Sequence, residues 1–184
     1  RVADYFAGLY VDKAAAKAAD FQGQTAASVL ERFRQVVLDE LRAEPEGARG
    51  RVLGVILIGS FAYGAATPHS DFDGEVVTAG GSAVRVAGFV SRVTERWKAE
   101  GRQKSNPVTF HMFPFTPSKR LMRMVHDAPY LVMSPDAGLA ERLSMQDGES
   151  LPLLPSRALT RKGVLERWLQ YGAVYATSLL TRPR

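Results

Sequence analysis

Asp71 and Asp73 stand one residue apart, and a spacer of ten residues separates Asp71 from Ser60, where the apolar run Val52–Ile58 gives way to Gly59-Ser60. On a strand, alternate side chains share a face, so the two aspartates are expected to point the same way. Two carboxylates on one face after a Gly-Ser turn suit a Mg²⁺-triphosphate site. Mg²⁺ takes hard oxygen ligands, typically one or two carboxylates completed by substrate phosphates. Gly59 lets the backbone approach a phosphate closely, having no Cβ. Ser60 is expected to add a hydroxyl and a helix N-terminal N–H group. Ser70, directly before Asp71, is placed either to touch the triphosphate or to cap the strand entry. The chemistry in view is in-line displacement at phosphorus, where metal ions stabilise the entering and leaving oxygens.

Gly59-Ser60, the spacer Phe-Ala-Tyr-Gly-Ala-Ala-Thr-Pro-His-Ser and Ser70-Asp71-Phe72-Asp73, with Val76-Val77 behind them, resemble the signature of the polymerase-beta-like nucleotidyltransferase superfamily. That superfamily includes the aminoglycoside nucleotidyltransferases and the small minimal nucleotidyltransferases. The resemblance implies a nucleotidyltransferase core with helices outside it. It also implies a Mg²⁺-dependent transfer of an NMP, foremost AMP from ATP, to a hydroxyl of a small-molecule acceptor, with pyrophosphate released. Asp71 and Asp73 would then be catalytic metal ligands, and Gly59, Ser60 and Ser70 would bind nucleotide. The same chemistry on a protein or RNA acceptor is an alternative, as is a catalytically impaired module that binds a nucleotide or a partner.

Family members usually carry a further acid on the later strand. Here that strand reads Asn106-Pro-Val-Thr-Phe-His-Met-Phe113 and holds none. Alternation puts Thr109, His111 and Phe113 on one face. If that face looks towards the aspartates, His111 falls near the expected position; neutral histidine is a workable general base near pH 7 but a poorer Mg²⁺ ligand than a carboxylate. Otherwise it is a packed strand residue. Glu75 shares the strand parity of Asp71 and Asp73 and is the other candidate acid. Lys119, with Arg120 and Arg123 on a short predicted helix, could reach phosphate; the same cluster also suits a solvated helix face. Phe61 and Tyr63 either line a pocket or pack the turn, and Trp97 and Trp168 lie on apolar stripes that belong to a core.

These residues need a frame to hold them. Helices are expected over 2–20 and 25–43, the second from the helical spacing of Val29, Phe33, Val36, Val37 and Leu41. Thr25 or Ser28 is its expected cap, with Ser28-x-x-Glu31 fitting a capping box. Strands are expected over 52–58, 72–77 and 106–113, with a short helix or turn over 60–66. A second amphipathic helix is expected over 82–100, capped by Gly101. Beyond it come a helix over 117–126, an apolar piece over 130–133 that suits an edge strand, a short helix over 137–145, a Gly/Pro/Ser-rich linker over 147–156 and a last amphipathic helix over 158–180. The order predicts an α+β fold, a small mixed sheet flanked by helices with a C-terminal helical segment. The expected divisions are N-terminal helices packed on the core over 1–48, the nucleotidyltransferase core over 49–146, and linker plus C-terminal helix over 147–184.

With 184 residues, 46% of them apolar and 23% charged, the composition is that of a globular protein able to bury a core. The chain has no cysteine, which excludes disulfides and thiolate chemistry. Its three histidines, His69, His111 and His126, lack the clustered spacing of a zinc site. The net charge of +5 comes from scattered rather than blocked Lys and Arg. It therefore suits solubility and a nucleotide triphosphate as the relevant anion better than a nucleic-acid stripe. No apolar run reaches the length of a membrane span. No signal-peptide pattern is visible in a chain that starts at Arg1, so a cytoplasmic location is the expectation.

Overall fold

The computed structural model describes residues 19–62, 64–80, 82–101, 105–113 and 130–144. The helices expected over 117–126 and 158–180 and the linker over 147–156 lie outside the described residues, as do residues 2–18 of the helix expected over 2–20, whose last two residues are not helical, and Tyr63, Lys119, Arg120, Arg123 and Trp168. Within them the fold is α+β, a four-stranded mixed sheet with flanking helices.

Helix α1 (Ala26–Arg42) forms where the apolar period predicts it, and Val29, Phe33, Val36, Val37 and Leu41 are its buried stripe. Thr25 is its cap: its hydroxyl accepts the Ser28 N–H at 3.1 Å, while the Ser28 hydroxyl donates back to the Thr25 carbonyl at 3.0 Å. The Ser28–Glu31 box is not used, because the helix already begins at Ala26. Glu31 instead accepts from Arg34 and Gln35 one turn on.

Strand β1 (Val52–Ile58) runs into a single helical turn, α2 (Gly59–Ala62), and a loop leads to β2 (Phe72–Thr78). Helix α3 (Ala83–Ala99), capped by the Ser82 hydroxyl, crosses to β3 (Val108–Met112). Gly101 takes a left-handed φ of 74° just past the α3 end, as a helix stop requires. Strand β4 (Leu131–Met133) and helix α4 (Ala137–Leu143) follow. The strand order is β3-β2-β1-β4. β1 pairs antiparallel with both β2 and β4, whereas β2 and β3 are parallel. α3 is the crossover that a parallel pair needs. β4 is an edge strand, as its short apolar run suggests.

Each face of the sheet carries its own core. On one, α1 and α3 bury Phe33, Val37, Phe89, Val93 and Trp97 against Val55, Leu57, Phe72, Val76 and Phe110. Phe72 sits in a stack of three rings, 3.7 Å from Phe33 and 4.0 Å from Phe61 between centroids, with Trp97 edge-on to Phe72. On the other face Ile56, Val77 and Phe113 pack with Tyr130, Leu139 and Leu143. A register shift between Val52 and Gly54 lets Val52 and Val55, three residues apart, reach the same core.

An ionic group ties α1 to α3 and to the start of β1. Arg92 Nε donates to Glu40 Oε2 at 2.8 Å, and Arg92 also bonds Glu44. Arg96 reaches Glu40 and Asp39 at 3.3 and 3.2 Å. Glu44 in turn accepts the Val52 N–H at 3.3 Å. Among the described residues, no helix is long and apolar enough to cross a membrane.

Candidate active site

The site is built on the face of β2 that turns away from α1 and α3. Phe72 and Val76 point into the core beneath those helices. Alternation therefore sends Asp71, Asp73 and Glu75 to the opposite face, as the sequence predicts. The ring of Phe72 is the anchor of the pair: it lies between the two aspartates in sequence and is fully buried in the aromatic stack. Its backbone N–H donates to the Pro107 carbonyl at 2.8 Å, which joins the start of β2 to the approach of β3.

The loop that delivers Asp71 is held by side chains. The Thr67 N–H donates to Ser70 Oγ at 2.9 Å, and the Thr67 hydroxyl lies 3.3 Å from the same oxygen. Ser70 thus engages the loop itself. Asn106, fully buried, donates through Nδ2 to the carbonyls of Pro68 and Ser70 at 3.2 and 2.8 Å. Its main-chain carbonyl accepts the Trp97 indole N–H at 2.8 Å, so the clamp is fastened to the core. Sequence reasoning marked Asn106 only as a strand start. No local signal marks it, since the carbonyls that it satisfies lie 38 and 36 residues away in the chain.

Gly59 stands at the end of β1 with φ 75°, a left-handed conformation that favours glycine. A Cβ built there would lie 2.8 Å from Asp73 Oδ2. The register agrees, since Ile58 pairs with Asp73. Ser60 follows in α2, and its carbonyl accepts the Ala65 N–H at 2.9 Å. With four residues, α2 is one turn long; Ser60 brings a hydroxyl and local N–H groups, with little of the dipole of a full helix. Phe61 packs the turn rather than lining it, being buried against Phe72 and Phe21.

Burial raises the Asp73 carboxyl from 3.8 to about 6, helped by the adjacent Asp71 charge and by a hydrogen bond between the two side chains. Desolvation disfavours its charged form and a neighbouring anion adds to the effect. A cation between the carboxylates would offset both effects. The pair and the space kept by Gly59 fit a hard divalent ion that draws its remaining ligands from phosphate and water. Among the described residues, no group of three or more His, Cys, Asp or Glu is placed to hold a metal. Among the described residues the donor set is therefore the two carboxylates.

Strand β3 supplies the rest of this face. In the parallel register Asp73 pairs with Thr109 and Glu75 with His111. His111 does share the aspartates' face, with Phe113 next along it in the second core. It is half-buried and lies one step further along the strands than Asp73, level with the buried Glu75. The residue level with Asp73 is Thr109, whose hydroxyl donates to Asp71 Oδ2 at 3.3 Å. The strand pattern put Thr109 on this face, but only pairing, which the sequence does not display, brings it to the carboxylates.

No family model matches this chain, and no curated protein or solved structure matches it either.

Proposed function

We propose that the protein is a Mg²⁺-dependent nucleotidyltransferase that moves an NMP, foremost AMP from ATP, onto a hydroxyl of a small-molecule acceptor. The observation that carries this reading is the Asp71–Asp73 pair, side by side on one sheet face with the Asp73 carboxyl raised to about 6 and Gly59 keeping the space above it. Two partly buried carboxylates forced together, with no ion-pair partner among the described residues, are costly unless a ligand uses them.

In the proposed reaction the acceptor oxygen forms a bond to the α-phosphorus, and the bond from that phosphorus to the bridging oxygen of the β-phosphate breaks. Pyrophosphate leaves, and the acceptor proton passes to a base. Asp71 and Asp73 hold Mg²⁺, which supplies charge neutralisation at the phosphate oxygens. Gly59 and Ser60 offer space, a hydroxyl and N–H groups to the triphosphate. His111 and Glu75 are the candidates for the base, and the acceptor class is set by pocket shape, which a fold does not transmit. A cytoplasmic setting, where ATP and Mg²⁺ are supplied, belongs to this proposal.

The test is calorimetric titration of each NTP with and without Mg²⁺, on the wild type and on Asp71→Ala/Asp73→Ala. Magnesium-dependent binding that disappears in the double variant supports the reading and justifies an acceptor screen by pyrophosphate release. A folded wild type that binds no NTP, alone or with candidate acceptors, sinks it. One observation favours a second reading, a module that binds nucleotide without turning it over: a neutral Thr109 stands level with Asp73. Magnesium-dependent NTP binding with no pyrophosphate release across the acceptor screen would select it.

A further inference from the structure

We infer that Thr109 is a positioning residue of the metal site, holding the Asp71 carboxylate in place through its hydroxyl; this rests on the function proposed above. Three observations converge on it. The parallel register sets residue 109 level with Asp73. The Thr109 hydroxyl donates to Asp71 Oδ2 at 3.3 Å. Asp71 itself precedes β2, so strand pairing does not hold it as it holds Asp73.

The chemistry suits a hydroxyl at this place. An ionised carboxylate offers about four lone-pair sites on its two oxygens. A single donor on Oδ2 fixes the rotation of the group and leaves the other sites for a cation. A carboxylate at 109 would add a third negative charge beside a pair already strained by like charge. A valine would remove that donor and loosen the Asp71 carboxylate, leaving it its hydrogen bond with Asp73. The site is thereby a two-carboxylate site with a neutral third member, and position 109, not 111, is where this chain departs from a three-acid arrangement. The contact is longer than a tight O–H···O bond, so its removal should weaken the metal site rather than abolish it.

Thr109 is also β-branched and suits a strand for that reason alone, so the test must separate shape from hydroxyl. Two variants do this. Thr109→Val keeps the branched shape and loses the hydroxyl; Thr109→Ser keeps the hydroxyl and loses the methyl. Mn²⁺, a hard cation that accepts carboxylate oxygens, is titrated into the full chain, and free Mn²⁺ is read by electron paramagnetic resonance. Thermal melts without metal are recorded alongside. We expect Mn²⁺ affinity to fall about three- to tenfold in Thr109→Val, consistent with loss of one weak hydrogen bond, and to stay within about twofold of wild type in Thr109→Ser, where the melting temperature is the one to drop. Equal Mn²⁺ affinity in wild type and Thr109→Val overturns the inference while leaving the metal site intact. A wild type that binds no Mn²⁺ overturns the proposed site and this inference together. Should Thr109→Val fail to fold, Thr109→Asp decides: a carboxylate there should raise Mn²⁺ affinity about tenfold or more, and an unchanged affinity overturns the placement.

Discussion

Gly59 and Asp73 occupy one space: a Cβ on the glycine would come within 2.8 Å of the aspartate's Oδ2. The end of β1 and the acidic strand β2 have therefore been fitted to each other at this point. The glycine is required twice, once for its φ of 75° and once for its missing side chain. Gly59→Ala should cost about 1–3 kcal/mol through backbone strain and the displaced carboxylate, and should also abolish magnesium-dependent NTP binding. Urea denaturation and calorimetry check the two halves. Gly47, whose φ is 70° with nothing within 4 Å of a built Cβ, is the control: Gly47→Ala should show the backbone cost and leave ligand binding alone.

The Asp73 carboxyl gives the fold a pH dependence of its own. Its folded value of about 6 lies above 3.8, so folding favours the protonated form. The corresponding stability is present in full below about pH 4 and is lost as pH rises through 6. At about 1.4 kcal/mol per unit, discounted for the screening of a carboxyl that is partly in water, the loss amounts to roughly 1–2 kcal/mol and is complete by about pH 7. Metal-free wild type should therefore lose stability between about pH 4 and 7 and be level above that, and Asp73→Asn should flatten that slope. Mg²⁺ at pH 8 should restore stability to the wild type and do nothing for the variant. Parallel profiles for the two proteins would mean that the carboxylate does not feel the burial described.

Much of this frame was legible in the residues. The helical spacing of Val29, Phe33 and Val37, and of Val86, Val93 and Trp97, gave α1 and α3, because burying an apolar stripe outweighs other preferences. Alternation gave the common face of Asp71 and Asp73, and of Thr109 and His111. Pairing was not legible. That β3 runs parallel to β2, with Thr109 and not His111 level with Asp73, depends on a crossover of some thirty residues. Asn106 was hidden for a related reason: its partners, Pro68 and Ser70, are over thirty residues away. Nothing in the local pattern marks Glu40 and Glu44 as buried; both are, and Arg92 arrives from another helix to pair with them.

Asn106 is expected to be as sensitive as a core residue. Its Nδ2 satisfies two loop carbonyls in a place closed to water, and its buried Oδ1 has no partner among the described residues. Asn106→Ala should cost about 2–3 kcal/mol, since a buried carbonyl left unpaired is worth about 1–3. The loss should be local before it is global. Amide hydrogen exchange at Thr67 and Ser70 should accelerate well before the α1 core opens. Uniform acceleration across the protein would mean that Asn106 supports the core alone.

The Arg92 group predicts an asymmetry that depends on which partner is removed. Side-chain exposure is 47% for Arg92, 10% for Glu40 and 2% for Glu44. Arg92→Leu leaves two buried carboxylates with less compensation: Glu40 retains Arg96 and Glu44 retains the Val52 N–H. Breaking a fully buried pair costs about 3–5 kcal/mol; with Arg92 half in water, about 2 is the better expectation. Glu44→Gln keeps an acceptor for Val52 and shortens no side chain, so it should cost less than Arg92→Leu. The double variant should be no worse than Arg92→Leu alone, because the buried charge that made the single change expensive has gone with it. Chemical denaturation of the three variants completes the cycle. Additive losses would mean that Arg92 and Glu44 act separately, and that the bond between α3 and the segment leading into β1 carries no coupling.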